Sequence, residues 1–524
     1  MRISFLPPSN GRKRFGSTYG VLAFAICLFI FGCKGCNPKQ SFIGKVCTWD
    51  VPAGQSYTFV DAPGMLSPVE FRARVYHSTL DTNCVKFDST LHPLVVFGHG
   101  RYPLGVPNNY LGMSNLMDHL ASWGYICISV NLDVVNSLQN GFEWGIPHRG
   151  ELMLHAIEYM AKECRTPASP FYHRIDTTKI ALIGHSRGGG GAIYACNYNS
   201  THRNRPIKAL ATISPVNFGT DALTASIPHL SIYGSWDGDL IEGQGPDIWS
   251  RGTRTAPKEL VEIYGANHFH FTDNITYPFE ANEISREQHQ QMAKGLINAW
   301  FDTHVRAYDR FNWPKYLQGS PRIVNGIDYY LTYYDEHFLS IDNGGPIGTT
   351  GVNNLNGNNV GTGLPLFTDF TMSNPPDYSF GPALNVTWDG GTDALTFNFP
   401  STNASGFGFL SFRMSQVHPY EWNPLDTKKD LNVTVADAAG HQGTVPISNY
   451  LGGLQYPDVS GSLDAGDMFN FKQIMRGFRI PKTDFVGVDF SQVVSVKFSF
   501  NRPNVAGFTN STGAIKIEDL EFAD

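Results

Sequence analysis

The chain has 524 residues, 42% of them apolar, with 39 basic and 46 acidic side chains and a formal charge of −7. That length predicts two domains, the apolar share supplies a sizeable core, and the mild negative balance argues against a nucleic-acid partner. The charge is uneven: from Gly319 onward there are 11 basic and 21 acidic residues, so the acidic surplus lies in the later part of the chain.

Residues 1–33 read as a lipoprotein-type targeting segment. Arg12, Lys13 and Arg14 form a basic start, and Val21 to Phe31 is an apolar run too short to span a bilayer comfortably. It ends in Ile30-Phe31-Gly32-Cys33, which resembles a bacterial lipobox with a bulkier Phe31 than usual. Cys33 would then be the lipidated first residue of the mature protein, anchoring it at the cell envelope; plain secretion with cleavage nearby is the alternative. All eight cysteines lie at or before Cys196 and show no paired C-x-x-C pattern, so no zinc site is expected. Export would allow Cys36, Cys47, Cys84, Cys164 and Cys196 to oxidise, while Cys127 sits in an apolar strand and reads as a free core thiol.

Residues 37–60 read as a tether and entry strand, and Phe71 to Tyr76 as a half-exposed edge strand. Leu94 to Phe97 is a continuous apolar run of the kind found in central parallel strands. A helix is expected over Asn109–Trp123, a buried strand over Tyr125–Val130, and an amphipathic helix over Arg149–Cys164. Strands follow at Ile180–Ile183, Ala209–Ile213, His229–Tyr233 and Leu260–Tyr264, with a helix from Gly189 and a closing one over Glu287–Phe301. Alternating strands and helices predict a mainly parallel sheet covered on both faces, an α/β architecture for residues 37–318. From Gly319 helix signals nearly vanish. Short alternating strands appear at 394–399, 408–413, 431–436, 478–480, 494–500 and 514–520, which predicts an all-β sandwich or jelly roll over residues 319–524. This second part is expected to fold on its own.

The chemistry centres on Gly184-His185-Ser186-Arg187-Gly188, a G-x-S-x-G placed between a strand and a helix. That context is the nucleophile elbow: the turn is too tight for side chains at the two glycines, and it lifts the serine hydroxyl clear of the sheet. A serine nucleophile needs a base, and the base an orienting carboxylate. Both follow in order, each just after a strand: Asp237 in Gly234-Ser235-Trp236-Asp237, and His268 in Gly265-Ala266-Asn267-His268. Asp239 is the rival acid. The oxyanion needs two backbone N–H groups, assigned to Arg187 and to Arg101 in the loop after the Leu94–Phe97 strand. His99 is expected to order that loop and His185 to fill space under the elbow. Trp144 and Trp236 either line an acyl pocket or simply pack. The pair His268 and His270 fits no metallo-hydrolase spacing, so no cofactor is expected for catalysis.

Phe97-Gly98-His99-Gly100, Trp123-Gly124-Tyr125, Gly184 to Gly191, Gly234 to Asp239 and Gly265 to Phe269 together resemble the α/β-hydrolase superfamily over about residues 90–305. The similarity is greatest to the branch holding polyester hydrolases (cutinases), platelet-activating-factor acetylhydrolase-like esterases and dienelactone hydrolases. Polyester hydrolases commonly carry Met where this chain has Arg187. The closing stretch Gly513 to Phe522 loosely resembles galactose-binding-like jelly rolls. The resemblance implies an exported serine esterase working through an acyl-enzyme on an ester substrate. A surface binding or adhesion lipoprotein on an inactive hydrolase fold is the alternative. The β-rich part would target a glycan or polymer surface, and Asp389, Asp393 and Asp519 offer oxygen ligands for a structural calcium ion.

Overall fold

The apolar run at Leu94–Phe97 lies at the heart of a ten-stranded sheet, with successive side chains entering opposite cores. The computed structural model describes residues 44–524 apart from 61–67, 81–82, 85–89, 102–107, 137–144, 217–221, 241–243, 276–282, 309–322, 325–326, 345–350, 371–382, 391, 418–421, 425–426, 457–473, 501 and 505. The targeting segment and Cys33, together with Trp144, lie outside the described residues.

In chain order the sheet strands are β1 (Lys45–Asp50), β2 (Ala73–Thr79), β3 (His92–Gly98), β4 (Ile126–Val130), β5 (Ile175–His185), β6 (Ile207–Ile213), β7 (His229–Gly234), β8 (Lys258–Ile263), β9 (Ile323–Val324) and β10 (Ile327–Tyr334). Their spatial order is β1-β2-β4-β3-β5-β6-β7-β8-β10-β9. The six strands from β4 to β8 are parallel; β1, β2, β10 and β9 are antiparallel additions at the two sides. Val96, Ile128 and Leu182 point to one face, under α2 (Ile146–Glu163) and α3 (Arg187–Tyr198). Val95, Phe97 and Ile183 point to the other, under α1 (Ser114–Ser122) and α5 (Arg286–His304), while α4 (Gln244–Arg251) connects β7 to β8. Helices covering both faces of this strand order make an α/β-hydrolase fold, as the resemblance implied.

Several expected elements differ in detail. The helix expected over 109–123 is a short 3₁₀ turn at Asn109–Leu111 followed by α1. The edge strand expected at 71–76 is β2, and it is buried along most of its length because β1 pairs outside it. Cys47 on β1 forms a disulfide with Cys84, whereas Cys127, Cys164 and Cys196 are free and buried. α5 opens with a capping box: the Ser285 hydroxyl accepts from the Gln288 amide at 3.2 Å, and the Gln288 side chain accepts from the Ser285 amide at 2.8 Å.

The later residues form a β-sandwich. One sheet runs β13 (Leu366–Phe370), β14 (Ala383–Trp388), β21 (Gly513–Ala523), β16 (Phe409–Gln416), β19 (Arg476–Pro481), with β11 (Phe338–Asp342) also pairing with β21. The other runs β12 (Asn358–Thr362), β15 (Ala394–Thr402), β20 (Val493–Ser499), β17 (Asn432–Asp437), β18 (Gln442–Pro446). Val386, Phe412 and Ile515 from the first sheet meet Phe397, Val435 and Phe498 from the second in one core.

The boundary expected between residues 318 and 319 does not match the sheet. β9 and β10 lie beyond it, yet β10 pairs with β8 from Lys258↔Tyr334 to Ile263↔Tyr329. Strand propensity alone carries no information about which sheet a strand joins, and β10 completes the ten-stranded sheet. The sandwich also docks on it through buried groups. Arg476 donates two hydrogen bonds to Glu262, both at 2.9 Å, with both side chains buried, and Arg254 donates two to Glu521 at 2.8 Å. A Cβ on Gly477 would lie 2.9 Å from the Thr332 Cα, so β19 and β10 touch backbone to side-chain edge. Both halves fall within one compact unit, Ser41–Asp524.

Candidate active site

The second half of β5 is buried, apolar over Ile180–Ile183 and ending in Gly184 and His185, and the chain then turns at once into α3. Ser186 occupies the turn with φ 56° and ψ −128°, a conformation that L-residues rarely adopt and that costs about 1–3 kcal/mol. Its surroundings over-determine it. The Ser186 amide donates to the Ile213 carbonyl at 3.0 Å, and the Ser186 carbonyl accepts from Gly189 at 2.8 Å and Val216 at 3.1 Å. A Cβ on Gly184 would lie 2.2 Å from the Gly188 carbonyl oxygen, and one on Gly188 would lie 2.0 Å from that of Gly98. Only glycine allows β3, the elbow and α3 to approach this closely. Ser186 thus stands at the N-terminus of a 12-residue helix, where the helix dipole favours negative charge.

The loop after β3 lies directly against the serine. A Cβ on Gly100 would be 2.5 Å from the Ser186 Cβ and 3.0 Å from its Oγ. His99 holds this loop. Its Nε2 accepts from the Leu132 amide at 2.7 Å, which leaves Nδ1–H to donate to the Gly100 carbonyl at 2.6 Å. Burial pushes the imidazole down to about 4, so the ring is neutral at ordinary pH, as that pattern requires. Arg149, on the first turn of α2 and fully buried, donates to the His99 carbonyl at 3.3 Å and to the Asn136 side chain. Reading α2 as an amphipathic helix missed this residue; an arginine beside core positions is its only trace in the sequence.

Asp237 follows β7 and is fully buried. Its Oδ1 accepts from the Leu240 amide at 2.8 Å and the Asp239 amide at 3.2 Å, which favours the carboxylate. His268 follows β8 and is 1% exposed. Its Nδ1 is 2.8 Å from Asp237 Oδ2 and 3.1 Å from Oδ1. Asp239 approaches the other ring nitrogen: its Oδ2 is 3.5 Å from His268 Nε2, and its side chain is half-exposed. His185 lies beneath, its ring 4.8 Å from that of His268, with Nε2–H donating to the His268 carbonyl at 3.0 Å. Burial, then the neighbouring His268, take His185 down to about 3.

The His268 loop is braced from behind by groups that sequence reasoning passed over. The Asn267 amide donates to His289 Nε2 at 2.8 Å, and His289 Nδ1–H donates to the Ser285 carbonyl at 2.8 Å. The Asn267 side-chain oxygen accepts from the amides of Phe269 and His270, both at 2.8 Å. His270 Nδ1 rests against Glu283 Oε1. His268 and His270 therefore point to different carboxylates. His270, Glu283 and His289 cluster within 4.8 Å, but both His289 nitrogens are engaged, so the cluster reads as a brace for the loop.

Arg187 and Arg101 flank the serine. Arg187 is the first residue of α3 and 7% exposed; Arg101 follows Gly100 and is half-buried. Burial and then Arg101 pull the Arg187 guanidinium down to about 10, against the opposing pull of Asp239. Trp236 is buried. Among the residues considered for calcium, Asp393 accepts from the Asp389 amide at 3.0 Å. Asp519 instead accepts from the Tyr334 hydroxyl at 2.5 Å and lies 3.2 Å from Arg413, facing a cation of its own.

Residues 109–311 match the PET hydrolase-like family (PETase). Cutinase est2 of Thermobifida alba is 24% identical over 163 residues, which are 31% of this chain and 48% of that one. Cutinase 1 of Thermobifida cellulosilytica is 24% identical over 156 residues, 29% and 53% of the two chains. Bis(hydroxyethyl) terephthalate hydrolase of Streptomyces coelicolor is 25% identical over 154 residues, 29% and 43%. The chain spans about half the length of the curated relatives it matches. The matched stretch holds Ser186, Asp237 and His268 and begins after Arg101.

Proposed function

We propose that this chain is a serine esterase that hydrolyses carboxylic esters through an acyl-enzyme, with polyester hydrolases as its relatives. The observations that carry the reading are a strained elbow serine at the head of α3 and a histidine whose Nδ1 is held at 2.8 Å by a fully buried carboxylate. In this reading Ser186 Oγ attacks the ester carbonyl while His268 Nε2 takes its proton. Asp237 keeps Nδ1 protonated and stabilises the imidazolium. The backbone N–H groups of Arg187 and Arg101 receive the oxyanion, with the loop of Arg101 set by His99 and Arg149. Collapse expels the alcohol, which takes the proton from His268, and a water then repeats the cycle on the acyl-serine.

Export is part of the proposal. The Cys47–Cys84 disulfide supports an oxidising compartment, and Cys33 would carry the lipid anchor. No helix of the described residues is long and apolar enough to cross a membrane. The sandwich would present the enzyme to a glycan or polymer surface, with Asp389 and Asp393 as ligands for a structural calcium ion.

A fluorophosphonate probe tests the core of this reading. Wild type should be labelled and should hydrolyse short-chain esters; Ser186→Ala should do neither. An unlabelled, inactive wild type would favour the binding-lipoprotein alternative. Palmitate incorporation lost in Cys33→Ser tests the anchor.

A further inference from the structure

A cavity lies toward the end of β5 opposite to Ser186. β3 and β5 pair as His92↔Ile175 and Pro93↔Asp176, then as Leu94↔Ile180, so Thr177, Thr178 and Lys179 are three extra residues on β5. Asp176 fixes this bulge: its Oδ1 accepts from the Thr178 amide at 3.0 Å and from the Thr178 hydroxyl at 2.6 Å. The widened end of the sheet and the last turns of α2 bound a cavity of about 160 Å³ with an apolar wall of Leu94, Ile157, Ala161 and Ile180. An apolar cavity of about that size holds one benzene ring. Six residues of extended strand, roughly 20 Å, separate Ile180 from Ser186, so this cavity is distinct from the candidate active site.

The rim carries the cations. His173 stands there at φ 54°, a left-handed conformation uncommon in non-glycine residues, and its amide donates to the Cys164 carbonyl at 2.9 Å. Arg205 follows a second such residue, Asn204 at φ 51°, and its guanidinium donates to Glu158 at 2.6 and 2.7 Å. Arg165 is exposed, and among the described residues its guanidinium has no hydrogen-bond or ion-pair partner.

We propose that this cavity binds a small carboxylic acid in its ionised form, with a ring or short chain against the apolar wall and the carboxylate at Arg165. The wall favours an apolar body of about one ring. Arg205 is already matched by Glu158, which leaves Arg165 as the cation open to an anion, and a guanidinium suits a carboxylate in both charge and shape. Ester hydrolysis releases acids of this class, but the site goes beyond the esterase reading and does not depend on it.

Calorimetric titration of full-length Ser186→Ala with benzoate, and with benzamide as its neutral isostere, tests the proposal. Benzoate should bind at least about threefold tighter than benzamide. Added to that background, Arg165→Gln should weaken benzoate by about threefold and Arg165→Glu by about tenfold, with benzamide unchanged. Ala161→Leu fills the cavity and should remove binding of both compounds. Raising NaCl from 50 to 500 mM should reduce the preference for benzoate, because salt screens the attraction. Arg165 is exposed, so its variants decide the question even if Ala161→Leu fails to fold. No benzoate binding up to about 50 mM, or an affinity that neither Arg165 substitution weakens, as binding in the catalytic pocket would give, overturns the proposal. Wild type that hydrolyses no ester would remove the esterase reading and leave this site standing.

Discussion

His268 stands between two carboxylates in unlike surroundings. Asp237 is fully buried, accepts two backbone amides and meets Nδ1; Asp239 is half-exposed and meets Nε2. Only the first can fix the tautomer that frees Nε2 as a base. Asp237→Asn should therefore lower kcat on a neutral ester by about a thousandfold or more, and Asp239→Asn by less than about tenfold. Steady-state kinetics on both variants checks this; the reverse ranking would reassign the acid. A second expectation at this scale concerns pH. Burial holds His99 at about 4 and both His185 and His289 at about 3 in the folded chain. Unfolded, each titrates near 6.5, so below that pH the unfolded state binds more protons. Stability is then full above about pH 6.5 and falls as pH drops toward 4, by about 1.4 kcal/mol per pH unit for each such histidine. Urea midpoints at pH 7.5 and 5.5 measure it; equal midpoints would show that these rings are not buried neutral.

Among the elements, the elbow is the one whose glycines are individually required. Gly188→Ala would drive a methyl to 2.0 Å from the Gly98 carbonyl oxygen, where two central elements must part. The expected cost is about 3 kcal/mol or more, with loss of activity. Gly295→Ala is the control: it sits on the exposed side of α5 with nothing within 4 Å, and should stabilise by about 0.5–1 kcal/mol. Thermal melts of the two variants should move in opposite directions. The elbow was legible in the sequence because its constraints are local: a strand, two glycines four residues apart and a helix. The interruption between Asn109–Leu111 and α1 was not, because the apolar spacing runs on through a segment whose backbone breaks at Gly112 and Met113. Nor was the burial of β2, which depends on β1 arriving from elsewhere to cover it.

At the scale of the molecule, the two halves share one sheet and a buried ionic seam. Cutting the chain after residue 318 would remove β10, expose the edge of β8 and leave Glu262 without Arg476. The truncated catalytic half should be insoluble or inactive, contrary to the two-module reading. Arg476→Ala should cost about 3–5 kcal/mol because it strands a buried carboxylate, while Glu262→Leu combined with Arg476→Met should recover most of that. Denaturant titration of the three proteins decides it; a soluble, active 1–318 fragment would restore the modular picture. The seam also reaches the site's surroundings. Ile474 of the sandwich half packs in one cluster with Val216, Tyr233, Leu240 and Trp249, and the Tyr233 hydroxyl donates to the Leu240 carbonyl three residues beyond Asp237.

The α/β class, the elbow at Ser186 and the order of Asp237 and His268 after it were all determined by the sequence alone. Each is written in short-range patterns: hydrophobic runs, paired glycines and polar residues just past strand ends. The tertiary structure decided the rest. It set which nitrogen of His268 meets which aspartate, that Arg149 and His289 brace the candidate site from behind, and that β10 belongs to the ten-stranded sheet. It also spent Asp519 on Arg413 and Tyr334. These outcomes depend on groups far apart in the chain meeting in a dry interior, where an unpaired charge or amide is too costly to leave, and linear spacing carries no record of such meetings.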